Sequence, residues 1–76
     1  MYLSNIFDKE KIMINNKMKE SRINKGYSQG DLAKIIGVSR QTINMIENGE
    51  YNPTLVLCIK ICKALDKTLD ELFWEV

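Results

Sequence analysis

The sequence predicts an all-α domain, a compact bundle of five short helices. Apolar residues recur at helical spacing in successive segments, and the 76 residues include only four glycines and one proline. Three of the glycines, Gly26, Gly37 and Gly49, each follow such a segment, and a serine or threonine precedes the next one. Glycine after a helix and serine or threonine before one are the usual marks of helix boundaries.

Length and composition indicate one small globular domain. The chain is 45% hydrophobic with a formal net charge of +1, a balance unlike that of disordered segments. Because a domain of this size buries a limited core, a partner chain would add useful stability. No apolar run is long enough to span a bilayer, and the first residues do not resemble a secretory signal. We therefore expect a cytoplasmic protein without membrane contact.

The charges are unevenly distributed along the chain. Six basic residues oppose two acidic ones between Met13 and Ile46, whereas one lysine opposes four acidic residues from Ala64 to Val76. A basic first part and an acidic last part are typical of a domain with one face suited to phosphate.

The two cysteines suit a hydrophobic core better than a metal site. Cys58 and Cys62 lie four residues apart and the chain has no histidine, which leaves too few ligands for zinc. On a helix this spacing puts both thiols on one face, where small buried side chains are expected. We expect neither a metal nor a cofactor.

Residues 1–12 are predicted to be an N-terminal extension, and residues 13–76 the folded domain. The apolar residues of the extension are Tyr2, Leu3, Ile6 and Phe7. They could line a short helix, but one of this length needs a surface to pack on. A dispensable extension, an arm and part of an oligomer contact are equally compatible with this pattern.

The first helix is expected from residue 15 or 16 to residue 25. Ile14, Met18 and Arg22 recur every four residues, with Ser21 and Ile23 beside them. A glycine directly after residue 25 ends the segment.

The second helix is expected from Ser28 to Gly37. Ser28 with Asp31 three residues later forms a capping-box pattern, and Gly37 suits the helix end. Gln29 lies among the free amides of the helix start, a suitable place to meet a phosphate oxygen. The residues expected on the buried side are Leu32, Ile35 and Ile36.

The third helix is expected from about Arg40 to Asn48, between the cap Ser39 and the stop Gly49. Its core-facing residues are predicted to be Ile43 and Ile46. Its outward residues are predicted to be Arg40, Gln41, Asn44 and Met45.

The outward side of the third helix suits the edges of DNA bases. Arginine donates two hydrogen bonds to guanine, and glutamine or asparagine donates and accepts at once against adenine, which fits Arg40, Gln41 and Asn44. Such a cluster alone is more often a solvated surface. Its context favours DNA binding. The connection from Gly37 to Ser39 has only three residues and forces a sharp angle between the two helices, with Val38 in the corner, as in helix-turn-helix units that read DNA.

Two further helices complete the pattern. The fourth is expected from Thr54 or Leu55 to Leu65 and is apolar nearly all round. Such a helix is either wholly internal or packs against two surfaces, and we expect packing against two surfaces. The fifth begins at Thr68, where Glu71 completes another capping box. Its inward residues are predicted to be Leu69, Leu72 and Phe73. Trp74 is better explained by a second subunit, because tryptophan is enriched at interfaces.

From position 16 to position 73 the sequence resembles the phage-repressor and Cro-like helix-turn-helix family, also called the XRE family. The order and spacing of five blocks agree with that family. The blocks are S-Q-G-D-L-A at residues 28–33, G-V-S-R-Q-T-I at 37–43, I-E-N-G at 46–49, N-P-T-L at 52–55 and L-D-E-L-F at 69–73.

The resemblance implies a five-helix bundle whose third helix enters the major groove, generally as a dimer on a two-fold symmetric operator. It implies that Gln29 holds a phosphate and that Arg22 pairs with Glu47. The base-facing positions it implies are Arg40, Gln41 and Met45. The positions it implies for backbone or neighbouring contacts are Ser39, Thr42, Asn44 and Asn48.

Three departures from the family pattern stand out. Met45 replaces a polar base reader, so it would touch a thymine methyl or nothing. Glu50 follows Gly49 where a basic or neutral residue would favour phosphate. Ser21 replaces an expected leucine.

These observations predict a sequence-specific DNA-binding transcriptional regulator, a repressor, acting as a homodimer and without enzymatic activity. Dimerisation is expected through the fourth and fifth helices. The interface residues predicted there are Val56, Leu57, Phe73 and Trp74. The alternative is an antitoxin or antirepressor-like protein-interaction module on the same fold, which the near-neutral charge and the surplus apolar surface favour.

Overall fold

The computed structural model describes residues 16–73, and in this range the chain forms five helices and no strands. The helices are α1 (Asn16–Asn24), α2 (Gln29–Ile36), α3 (Arg40–Glu47), α4 (Leu55–Leu65) and α5 (Leu69–Phe73). The all-α fold class is confirmed. The N-terminal extension and Trp74, with the predictions made for them, lie outside the described residues.

Four of the helices begin at a side-chain cap. At the start of α2, the Ser28 hydroxyl accepts a hydrogen bond from the Asp31 amide, and the Asp31 carboxylate accepts one from the Ser28 amide, both at 2.9 Å. The bond from the Ser28 amide is the main cause of the lowered pKa of Asp31. Thr68 and Glu71 form the second predicted capping box, at α5. The caps of α3 and α4 are Ser39 and Thr54.

Residues in the left-handed conformation end α2 and α4. Gly37 has a φ of 82°, and its amide donates to the Ala33 carbonyl at 2.8 Å. The fourth helix ends at Leu65 as predicted, and Asp66 after it has a φ of 60°. The sequence did not indicate this backbone conformation, because residues other than glycine seldom adopt it. The Lys67 amide donates to the Cys62 carbonyl at 2.9 Å and so holds the chain reversal.

The core lies where the inward faces of α2, α3 and α4 meet, closed by one side chain each from α1 and α5. α2 packs on α3 and α4, α5 packs on α1 and α4, and α1 also contacts α3. The buried apolar residues are Met18, Leu32, Ala33, Ile36, Ile43, Ile46, Ile61, Cys62, Leu65 and Leu72.

Two apolar residues predicted to be buried are exposed instead. Ile35 is 53% exposed and Leu69 is 39% exposed. Both lie on helices of eight residues or fewer, and so short a helix buries only a narrow stripe. Ile36 and Leu72 take the inward positions of those helices. Ile23, beside the stripe of α1, is also exposed.

The fourth helix is not wholly internal. Ile61 and Leu65 are buried, whereas Leu55 and Val56 are 65% and 64% exposed. This excludes one of the two alternatives that the sequence left for α4. The helix buries one face and presents an apolar surface on the other.

The two cysteines are free thiols on α4. Cys62 is buried in the core as expected, and Cys58, one turn earlier, is half-buried. Burial raises the pKa of both thiols, which keeps them protonated and weakly reactive at neutral pH. Among the described residues no cluster of metal-ligating side chains is found.

The burial pattern predicts a contrast between two isoleucines. We expect Ile61→Ala to lower the free energy of unfolding by about 2–5 kcal/mol, since it leaves a cavity in the core. Ile35→Ala should change it by less than about 0.5 kcal/mol, since the side chain is largely in water. Urea denaturation followed by circular dichroism measures both. Equal losses would contradict the burial assigned to these helices.

Candidate functional site

The residues predicted to touch DNA lie on a helix-turn-helix unit formed by α2 and α3. Gly37, Val38 and Ser39 connect the two helices, and the amides of Gly37 and Val38 both donate to the Ala33 carbonyl, at 2.8 and 3.0 Å. Val38 is half-buried against the core. The turn is therefore closed by backbone bonds and pinned by an apolar side chain, which fixes the direction of α3.

The third helix has an inner and an outer face. Ile43 and Ile46 are 0% and 3% exposed, as the sequence predicted. Five of the predicted contact residues on or beside this helix are exposed. They are Ser39, Arg40, Gln41, Asn44 and Asn48. Thr42 and Met45 are half-buried, so they present less of their side chains to a ligand.

A buried ion pair ties the inner face of α3 to α1. Arg22 Nε donates to Glu47 Oε2 at 2.8 Å, and Arg22 Nη2 donates to Glu47 Oε1 at 3.2 Å. The remaining Arg22 nitrogen, Nη1, donates to the Tyr27 carbonyl at 2.9 Å. Arg22 is 7% exposed and Glu47 is 3% exposed. These are the two residues that the family resemblance paired; their separation of 25 positions hides the pair from any local pattern.

The pair also reaches the start of α2. Gln29 Nε2 donates to Glu47 Oε1 at 3.1 Å, so the carboxylate holds groups from α1 and α2 at once. In the described part of the chain, no buried side-chain nitrogen or oxygen is left without a hydrogen bond. A bidentate pair with every group satisfied is the arrangement in which buried charges are tolerated.

Three side-chain amides form a further chain of hydrogen bonds that sequence reasoning missed. Asn44 Nδ2 donates to Gln29 Oε1 at 3.3 Å, and Asn48 Nδ2 donates to Asn44 Oδ1 at 2.9 Å. Gln29 had been assigned to phosphate and Asn44 to bases or backbone, without a bond between them. The four-residue spacing of Asn44 and Asn48 on one helix face was the available indication.

Arg40 and Gln41 are placed differently from those amides. Within the described residues, no hydrogen bond or ion pair is found for either side chain. Arg40 passes close to the first turn of α2, where a Cβ built on Gly30 would lie 3.9 Å from Arg40 Cδ. Neither side chain is therefore tied by a hydrogen bond within the described residues, and both have their donors available.

The three described residues of the predicted dimer interface differ in exposure. Val56 is exposed, but Leu57 and Phe73 are half-buried and pack against the core. The exposed apolar residues of α4 and α5 in the described range are Leu55, Val56, Ile59 and Leu69. Within this range no helix is both long and apolar enough to cross a membrane.

Comparison with known families assigns the fold. A family model described as Helix-turn-helix matches residues 18–72. The chain belongs to the helix-turn-helix family. The resemblance to the XRE type is thereby confirmed, and the matched range includes the ion pair, the turn and α3.

Individual relatives agree with the family assignment. This helix-turn-helix protein is 49% identical over 59 residues to YgzD of Bacillus subtilis, described as an uncharacterized HTH-type transcriptional regulator, covering 78% of this chain and 89% of the relative. It is 39% identical over 54 residues to the antitoxin HipB of Escherichia coli, covering 71% of this chain and 61% of HipB. The crystal structure of the restriction-modification controller protein C.AhdI from Aeromonas hydrophila superposes with a TM-score of 0.70 and 38% identity, covering 75% of this chain and 86% of the other.

The buried pair predicts strongly non-additive mutations. Arg22→Met or Glu47→Leu alone should lower the free energy of unfolding by about 3–5 kcal/mol, because each leaves one buried charge without its partner. The double variant should lose much less than the sum of the two, since no unpaired charge remains. Thermal and urea unfolding of the four proteins give the coupling energy.

The exposed ion pair of Lys25 with Asp66, at 3.3 Å, serves as the control. Lys25→Ala should cost less than about 1 kcal/mol, because a solvent-exposed pair contributes little. Additive effects of the Arg22 and Glu47 variants would contradict a structural role for the buried pair.

Proposed function

We propose that this helix-turn-helix protein is a sequence-specific DNA-binding transcriptional regulator that inserts α3 into the major groove. The observation that carries the proposal is the outer face of α3, where Arg40 and Gln41 are exposed and make no bonds within the described chain. The rest of α3 is fixed by the core and by the buried pair. A rigid helix that presents unpaired base-reading side chains is suited to direct readout.

The chemistry of these two side chains differs. Arg40 carries a planar fork of donors that matches O6 and N7 of guanine. The amide of Gln41 can accept from N6 and donate to N7 of adenine. Each such contact contributes roughly 1–3 kcal/mol of discrimination between base pairs. The half-buried Met45 is left to make at most an apolar contact, with a thymine methyl.

Phosphate contacts would position the helix on the duplex. Gln29 stands at the first turn of α2, where free backbone amides and the positive end of the helix dipole favour an anion. Ser39 and Thr42 use their hydroxyls on each other, at 2.8 Å, so Ser39 contributes chiefly through its place at the start of α3. These contacts would set register without reading sequence.

A homodimer that represses transcription by occupying its operator completes the proposal. The open apolar surface of α4 and the small size of the core favour a second subunit. A two-fold axis through this region would set two α3 helices roughly 34 Å apart, one turn of duplex. A cytoplasmic site of action follows from the proposed target. The family match points to regulators and not to an enzyme class.

The decisive experiment is selection of bound duplexes from a random pool. We expect one enriched motif with two inverted half-sites centred about ten base pairs apart. A motif with a single half-site would remove the dimer from the proposal. No enrichment over the starting pool would overturn DNA recognition altogether.

Arg40 should be essential for both affinity and preference. Arg40→Ala is expected to weaken binding to the selected motif by about 1–3 kcal/mol, roughly 5- to 150-fold, and to relax preference at one guanine position. Fluorescence anisotropy on the motif and on its single-base variants measures both effects. An Arg40→Ala protein with wild-type affinity and preference would overturn the assigned role of α3.

Lys67→Ala provides the matched control, because it removes the same charge from outside the helix-turn-helix unit. Lys67 lies between α4 and α5, and α5 packs chiefly on α1 and α4. This variant should keep the base preference of the wild type. A relaxed preference in the Lys67 variant as well would show that net charge, and not the Arg40 side chain, is responsible.

A protein-interaction module is the second candidate, favoured by the similarity to the antitoxin HipB and by the open apolar surface of α4. The two functions differ in salt dependence. With about six phosphate contacts, DNA affinity should fall roughly a thousandfold between 50 and 200 mM salt, because counterions are released on binding. Salt-insensitive capture of a protein ligand, without any shift of DNA, would favour the second candidate.

A further inference from the structure

The hydrogen bonds between α2 and α3 form a directed row. We call Gln29, Asn44 and Asn48 the amide row. It begins at the Glu47 carboxylate, passes through Gln29 at 3.1 Å and Asn44 at 3.3 Å, and ends at Asn48 at 2.9 Å. Asn44 and Asn48 are exposed, whereas Glu47 is 3% exposed. The row therefore connects a buried charge to the surface that is proposed to face DNA.

The carboxylate sets the direction of every amide in the row. A carboxylate bonded to Arg22 has no hydrogen to donate, so Gln29 must turn its NH2 group towards Glu47. The oxygen of Gln29 then faces Asn44, which must donate to it, and the oxygen of Asn44 in turn faces Asn48. Reversal of a single amide would place two oxygens or two NH2 groups against each other.

The fixed direction leaves each amide with one unused N–H. Every NH2 group has two hydrogens, and one of them is spent inside the row. The oxygens of Gln29 and Asn44 each accept one bond from within the row, which occupies one of the two lone pairs of each oxygen and fixes where that oxygen lies. Phosphate oxygens are acceptors without hydrogens, so they match three preset donors, whereas adenine requires an amide that offers its donor and its acceptor together.

We propose that Asn44 is a positioning residue that transmits the orientation set by Glu47 to Asn48, so that the amide row contacts phosphates of one strand. This rests on the proposed DNA-binding function. It moves Asn44 from base reading to backbone contact and leaves Gln41 as the amide of α3 that reads adenine. Arg40 and Gln41 lack such tethers, which distinguishes the reading positions from the row.

The first test needs no DNA. Side-chain NH2 groups of the full chain are followed by nitrogen-15 NMR, in the wild type and in Asn44→Ala. We expect the Asn48 NH2 group to exchange with solvent several-fold faster in the variant, because its acceptor is gone, while Gln29 keeps its bond to Glu47. The Gln41 NH2 group should be unchanged in both proteins. Equal exchange of Asn48 in the two proteins would overturn the row.

The second test uses the selected duplex with single neutral methylphosphonates placed in turn along each strand. We expect Asn44→Ala to bind every sequence about threefold to tenfold more weakly, the loss of a hydrogen bond or two, with unchanged base preference. In the wild type, a methylphosphonate in place of a contacted phosphate should weaken binding. In Asn44→Ala, this loss of affinity should be smaller at one or two neighbouring positions. A changed base preference in Asn44→Ala, or a methylphosphonate effect equal to that of the wild type, would overturn the proposed phosphate contact.

Gln41→Ala is the matched control, since it removes an exposed amide from the same helix. It should change preference at an adenine position and keep the methylphosphonate profile of the wild type. If the wild type binds no duplex, the proposed function and the phosphate contact both fail. The exchange measurement then still decides whether the amide row exists, so the two failures are distinguishable.

Discussion

The bidentate contact between Arg22 and Glu47 is the constraint on which the site depends. It joins the first and third helices in the interior and, through further bonds, also holds the Tyr27 carbonyl and the Gln29 amide. Three elements are thus fixed by one carboxylate and one guanidinium group. A protein with so small a core has few other means of holding a two-turn helix in one orientation, and orientation is what recognition of a rigid duplex requires.

The polar interior and the polar surface of the third helix are parts of one network. Glu47 is buried and Asn48, next to it in the chain, is exposed, yet both belong to the same series of hydrogen bonds. The inner part contributes stability and direction, while the outer part offers donors. Since buried polar groups are costly unless all are satisfied, this continuity explains why an ion pair is tolerated where an apolar contact would be simpler.

The fold could be predicted from the sequence because the helix boundaries are set by capping side chains close to them in the chain. Ser28 with Asp31 and Thr68 with Glu71 formed the capping boxes that their three-residue spacing indicated. Ile35 and Leu69 were misassigned because each lies on a helix of eight residues or fewer, where the apolar pattern covers too few turns to decide which residues face the core. The end of α4 at Leu65 was predicted, but the left-handed conformation of Asp66 after it was not, because residues other than glycine seldom adopt it.

In the candidate site, the exposure of the outward side chains of α3 could be predicted, but the hydrogen bonds between the site residues could not. The outward position of Arg40 and Gln41 followed from helical spacing. The bonds of Gln29 to Glu47 and Asn44 join positions 18 and 15 residues apart, and such distances depend on how the two helices cross, which no local pattern specifies.

The separation between anchored and untethered side chains has an evolutionary consequence. Arg40 and Gln41 are exposed and make no hydrogen bond or ion pair in the described fold, so their replacement carries little folding penalty. Under the proposed function, new operators would therefore be within reach of single codon changes, while the bonded residues behind Arg40 and Gln41 keep the helix in place. Gene duplication followed by divergence at these two positions would suffice to produce paralogues that do not compete for the same promoter.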